Sequence, residues 1–87
     1  MLWWTQSSED HIARHDITVT EVTEIVSDSS SRWFKITKQP LFHVLGQTQA
    51  GRYLLVVLVR STHDSSAWFV VTARNMTARE RNRYHRK

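Results

Sequence analysis

The sequence predicts an α+β domain: two N-terminal helices, a four-stranded antiparallel meander sheet and a C-terminal basic helix. Three observations predict it. Thr18 with Glu21, and Thr77 with Glu80, have the spacing of capping boxes, in which each side chain accepts from the backbone N–H at the other's position. Four runs rich in β-branched and aromatic residues stand between these two helix starts, separated by turn residues. The 87 residues contain two glycines and one proline, with no repeat, low-complexity block or linker, so residues 1–87 read as one domain.

Each element follows in order. "SSEDHIARH" (7–15) reads as the first helix, capped by Ser7 or Ser8, with Glu9 and Asp10 near the positive end of its dipole. "DI" breaks it. "TVTEVTEIVSD" (18–28) reads as the second, with Val19, Val22, Ile25 and Val26 on one face. "RWFKIT" (32–37) is the first strand, stopped by "KQP", because Pro40 cannot donate to a ladder. "LFHVLGQT" (41–48) is the second. "QAG" turns into "RYLLVVLVRS" (52–61), which is apolar on both faces and therefore central. "THDSS" turns into "AWFVVTA" (67–73), and short strands joined by tight turns make a meander. The last helix starts at "TARE" with Thr77 as N-cap. A helix of about ten residues is marginal alone, so it needs the sheet beneath it, through Met76, Ala78 and Tyr84. A domain of this size buries only about 60–65% of its unfolded surface and must use large side chains efficiently. Trp33, Phe34, Phe42, Tyr53, Trp68 and Phe69 are accordingly assigned to the core, with no binding role.

Composition excludes several classes. There is no cysteine, so no disulfide framework and no Cys-ligated zinc. The longest apolar run, residues 53–59, falls far short of the roughly 18 residues that span a bilayer. "MLWWTQSSED" has neither a basic n-region nor a long apolar stretch, so no signal peptide is expected. Net charge is +4, and it is concentrated at one end. From Val70 onward six basic residues (Arg74, Arg79, Arg81, Arg83, Arg86, Lys87) face one acid, Glu80. The first 69 residues carry six basic and seven acidic side chains. Such a basic patch is the footprint of a polyanion or of an acidic protein partner.

Three stretches carry a resemblance: "HIARHDITVTEVTEIV", "LGQTQAGRYLLVVLV" and "VVTARNMTARERNRYHRK". In order and spacing they resemble the BrnT family of bacterial toxins, small ribonucleases related in fold to the RelE-type toxins. The likeness covers about Asp10 to Arg86. Its most specific part is an Ala-Arg strand end running into a Thr-x-x-Glu-Arg-x-x-Tyr helix. The family's opening Trp-Asp-x-x-Lys has no counterpart in "LWWTQSSED", and Arg14 and Asp16 flank His15 where the family has Lys and Gly. Asp tolerates the left-handed backbone that Gly would supply there. The resemblance implies a cytoplasmic endoribonuclease of a type II toxin–antitoxin pair, with no metal, no other cofactor and no membrane. It also implies a small antitoxin partner of the ribbon-helix-helix kind, through which oligomers would form.

Metal-free RNA cleavage needs a base for the 2′-OH, a cation for the transition-state phosphate and help for the leaving oxygen. Arg74, where the last strand gives way to the helix, suits the phosphate, because its planar fork meets two oxygens and stays charged. The plainer alternative is a surface arginine paired with an acid. Arg52 follows Gly51 into the central strand and is a second candidate, with turn stabilisation as its alternative. Glu80 is a capping-box acid or a general base. His15 matches the family's histidine and is an acid–base candidate or a helix C-terminal group. Arg79, Arg81, Arg83 and Arg86 would track an RNA backbone, or form a solvated or antitoxin-binding face. Tyr84 packs its ring on the sheet, or stacks on a base or holds a phosphate through its hydroxyl. His11 and His15 have a metal-pair spacing without a third ligand, and His43 and His63 are weak candidates. A reading from another class uses the same basic end: a non-catalytic module holding nucleic acid or an acidic protein.

Overall fold

A computed structural model describes residues 2–36, 41–62 and 66–86. The elements are β1 (Leu2–Trp3), α1 (Gln6–Arg14), α2 (Val19–Ser27), β2 (Arg32–Ile36), β3 (Leu41–Gln47), β4 (Tyr53–Arg60), β5 (Trp68–Asn75) and α3 (Ala78–His85). They form one five-stranded sheet in the order β1-β5-β4-β3-β2. β2 to β5 are the antiparallel meander expected from the sequence, with the apolar β4 at the centre. The sheet is not four-stranded. Leu2 and Trp3 pair in parallel with Trp68 and Phe69 and cover the free edge of β5. A strand of two residues has no periodicity to read. The "KQP" and "THDSS" turns lie wholly or partly outside the described residues.

All three helices open with a capping box. Thr18 with Glu21 and Thr77 with Glu80 close as the spacing predicts. α1 differs: its N-cap is Thr5, not Ser7 or Ser8, and Ser8 is the N3 partner whose hydroxyl accepts from the Thr5 N–H at 2.9 Å. α1 ends at His15, and Asp16 takes the left-handed φ of 59° that turns the chain into α2.

α1 and α2 cover one face of the sheet. Ile12, Ile17, Val22 and Ile25 from the helical layer meet Val44, Leu54, Val56, Leu58, Val70 and Ala73. Strand alternation puts Gly46 on this face. A β-carbon there would lie 2.5 Å from the Ser31 hydroxyl and 2.9 Å from Ile25 Cγ2, so α2 approaches β3 only because position 46 is bare. α3 lies on the opposite face, where Leu45 and Leu55 are buried and Tyr84 meets Tyr53 edge-on. Ala78, expected beneath the helix, is exposed; the Arg81 and Arg83 guanidinium groups lie over the Tyr53 and Phe34 rings instead. The assignment of six aromatics to the core holds only in part. None is fully buried; Trp68 packs against the core, Phe34, Phe42 and Tyr53 are half-buried, and Trp33 and Phe69 are exposed, because mostly β-branched and leucine side chains fill the space under two short helices.

Arg52 shares the helical face with Leu54 and ties it together. Its Nη1 donates to both Glu21 carboxylate oxygens at 3.0 Å and to the Asp16 carbonyl at 2.7 Å, and its Nη2 donates to Asn75 Oδ1. Burial raises the Glu21 pKa, but the Thr18 N–H and the Arg52 guanidinium outweigh that and hold it below the usual carboxylate value.

Two stability outcomes follow from these contacts. Arg52→Ala removes charge-assisted bonds to three segments and is expected to cost about 2 kcal/mol, a fall in Tm of roughly 8–16 °C, measurable by thermal denaturation. Gly46→Ala overpacks the α2–β3 contact and should cost about 1–3 kcal/mol by urea unfolding.

Candidate functional site

The face of the sheet that carries α3 is only half covered. Beside the Gln47–Tyr53 pair, register places three longer rows of side chains across it, about 7 Å apart along the strands. Arg32, Leu45, Leu55 and Arg74 form the row beneath α3. Phe34, His43, Val57 and Thr72 form the next. Ile36, Leu41, Val59, Phe69 and Trp3 form the last, the furthest from α3. β5 bulges between the second and last rows. Val57 pairs with Thr72 and Leu58 with Val70, so Val71 faces no partner residue and is exposed.

Arg74 ends its row at the β5–α3 junction. Its Nη1 and Nη2 donate to the two Glu80 oxygens at 2.8 Å each, and Nη1 also donates to the Asn75 carbonyl. The pair is not sealed, since the Arg74 side chain keeps 38% of its surface. A guanidinium has five N–H donors. Glu80 and Asn75 take three, and the Nε–H and second Nη2–H, which share one edge of the group, have no acceptor among the described residues. The bonds to Glu80 raise the Arg74 pKa. The same bonds to Arg74, with the Thr77 N–H, hold Glu80 below the usual carboxylate value against its burial. Glu80 is thus an anion at neutral pH with both oxygens occupied, which suits a positioning group better than a base.

His43 lies in the second row, half-buried. It is two strands across and one row along from Arg74, roughly 12 Å between Cα positions. Burial depresses its pKa first; Glu80 opposes this, and Arg74 and Arg83 add to it. It is therefore neutral at pH 7, on the same face as the cationic groups. The sequence alone gives it little weight, because only the long-range register sets it on the same face as Arg74.

α3 supplies the other charges. Arg79, Arg81, Arg83 and Arg86 are exposed, and none has a carboxylate in ion-pair reach among the described residues. Arg32 braces the end of the helix by donating to the Arg83 and Arg86 carbonyls. Tyr84 is half-buried against Tyr53, and burial raises its pKa.

Two expected residues lie elsewhere. Arg52 is on the opposite face, neutralised by Glu21, and meets the Arg74 neighbourhood only through Asn75. His15 is the C-cap of α1, next to the Asp16 carbonyl that Arg52 binds, and so belongs to that helical side. His63 lies outside the described residues. An open hollow of about 620 Å³ lies between α2 and the β3–β4 turn, lined by Val19, Thr23, Glu24, Asp28, Gln47 and Gln49 among others. Its charged groups are acidic, so it would repel a phosphate. Among the described residues no cluster of three His, Asp or Glu side chains could hold a metal ion, and no helix is long and apolar enough to cross a membrane.

No family model matches the chain, and no curated protein matches it. Among solved structures, the chain is similar to the 1.1 Å crystal structure of the Brucella abortus ribonuclease toxin BrnT. The two superpose with a TM-score of 0.67 over 87% of this chain and 95% of that one, at 15% sequence identity. The fold of this chain is therefore BrnT-like.

Proposed function

We propose that the chain is a metal-independent endoribonuclease toxin of a type II toxin–antitoxin pair, acting in the cytoplasm and neutralised by a cognate ribbon-helix-helix antitoxin. The observation that carries this reading is the Arg74 guanidinium, held on one side by Glu80 and Asn75 with a donor edge left over. It stands beside α3, whose exposed arginines have no carboxylate partner among the described residues, on a fold shared with a ribonuclease toxin.

In the proposed reaction the free edge of Arg74 binds two non-bridging oxygens of the scissile phosphate and neutralises the charge that grows in the transition state. His43, neutral at pH 7, takes the proton of the 2′-OH. The 2′ oxygen forms a bond to phosphorus as the bond to O5′ breaks. O5′ takes up a proton from solvent, leaving a cyclic 2′,3′-phosphate and a free 5′-hydroxyl. Arg79, Arg81, Arg83 and Arg86 hold the flanking backbone, and Glu80 positions Arg74. Arg52 and His15 act through the fold.

Purified protein should cleave RNA without added metal. Arg74→Ala should slow cleavage by about 10²-fold or more, and Arg74→Lys should not restore it, because an ammonium lacks the planar fork that meets two oxygens at once. RNA bound but left uncut by the parent protein would favour the non-catalytic module.

The pH profile tests His43. Its folded pKa lies below the ordinary 6.5, so the neutral, base-competent form persists at neutral pH and is lost as pH falls through that lower value. The cleavage rate should be level near pH 7 and decline on the acid side below 6.5. His43→Ala should lower the level part by about 10²-fold or more and remove the decline.

A further inference from the structure

Two groups of aromatic rings stand on this sheet, and they differ. On the helical face, Trp33, Phe42 and Trp68 meet edge-to-face at 5.0–6.2 Å, and the Arg60 guanidinium lies over the Phe42 and Trp68 rings. Those rings satisfy one another. On the α3 face, Trp3 and Phe69 stand side by side in paired positions of β1 and β5, 6.3 Å between centroids and 32° between planes. No other ring or cation within this chain faces them among the described residues. Trp3 is 48% and Phe69 41% exposed, with Val71 beside them at 39%. Leu2 and Trp68, their neighbours in the strands, point the other way and pack on the core.

An exposed pair of large rings is costly to leave in water unless something covers it. Charge favours one occupant. The helix beyond the intervening rows carries exposed arginines that have no acid partner among the described residues, and the Arg74–Glu80 pair between them adds no net negative charge. A polyanion laid along this face with its phosphate at Arg74 would reach the aromatic pair about 14 Å along β5, a span of a few nucleotides. Flat bases on aromatic side chains of an open sheet are a recurring solution for unpaired RNA. A duplex could not use it, since its bases are already stacked inside.

We propose that Trp3 and Phe69 form a stacking platform for unpaired bases, so that the substrate class is single-stranded RNA, engaged a few nucleotides from the phosphate held by Arg74. The inference rests on the ribonuclease reading for the position of that phosphate. The test uses the full chain with Arg74 in place and fluorescently labelled single-stranded 2′-O-methyl RNA of twelve or so nucleotides, which has no free 2′-OH to attack the phosphate and so stays intact, and the same sequence as a duplex. Leucine replacements keep an apolar side chain and remove the π-face, and melting curves confirm the fold. With stacking at about 1–3 kcal/mol per base, Trp3→Leu with Phe69→Leu should weaken single-strand binding about 10-fold or more, leave duplex binding unchanged and abolish the preference between them. Phe69→Trp should retain it.

Three outcomes overturn the proposal. If the leucine variants bind single strands as tightly as their parent while Arg81→Ala with Arg83→Ala binds them less tightly, the platform is wrong and the RNA reading stands. If the parent binds no RNA, both fall together. If the free protein is a dimer that Phe69→Leu dissolves, the rings are a subunit contact.

Discussion

The carboxylate of Glu80 is the constraint on which the α3 face depends. Its Oε1 accepts from the Thr77 N–H and so starts the helix, and Oε1 and Oε2 together take the end of the Arg74 guanidinium. Helix start and arginine orientation are therefore one unit. The ion pair itself adds little stability, about 1 kcal/mol or less at this exposure. Its effect is on order. An arginine carries about 2 kcal/mol of rotamer entropy, and here the fold has already restricted it before any ligand arrives. The helix also gives its backbone to the sheet: Arg32 of the edge strand reaches the Arg83 and Arg86 carbonyls, so a short, strongly basic helix that would not persist alone is held at both ends.

Asn75 divides the two faces. Its side-chain oxygen accepts from Arg52 on the helical side and its carbonyl accepts from Arg74 on the other. The two arginines sit back to back with opposite surroundings. Arg52 meets an acid and two carbonyl oxygens within a packed layer and is spent on holding α1, α2 and β5 together. Arg74 meets one acid and keeps an open edge. The acids of the chain are concentrated in α1, α2 and the loops that join them, so the helical side balances its charge while the α3 side remains cationic.

Much of this is legible in the sequence because it is local. Capping boxes join residues three apart, and those of α2 and α3 close as spaced; the both-face apolar run becomes the central strand. What is not legible depends on partners distant in the chain. β1 exists only because β5 has a free edge. Phe69 reads as core, yet the β5 register turns it outward beside Trp3. Arg52 and Arg74 both follow from strand patterns, but their opposite faces depend on the alternation of two different strands and a bulge between them. His43 acquires cationic neighbours by the same route. The α1 cap is local and still escapes the pattern, because Thr5 and Ser8 form a box in which serine replaces the usual Glu or Gln.

The chain shares its fold with BrnT at 15% identity. A sheet with one helix-covered face needs apolar residues at alternate positions, a bare position where α2 meets β3, and caps at helix starts. Many sequences satisfy those demands. The other face is under no such demand, so residues there answer to what the face meets. The opening segment of this chain carries no lysine, and α1 presents Glu9 and Asp10 to solvent. On the proposed reading, the cations for a phosphate come from β5 and α3. The exposed rings of Trp3 and Phe69 lie at the far end of that same face, where a polyanion anchored at Arg74 would need affinity that does not depend on charge. On the proposed reading the two ends contribute different kinds of affinity. Arginines hold the backbone in a salt-dependent way, and the rings hold the bases in a way that salt does not screen.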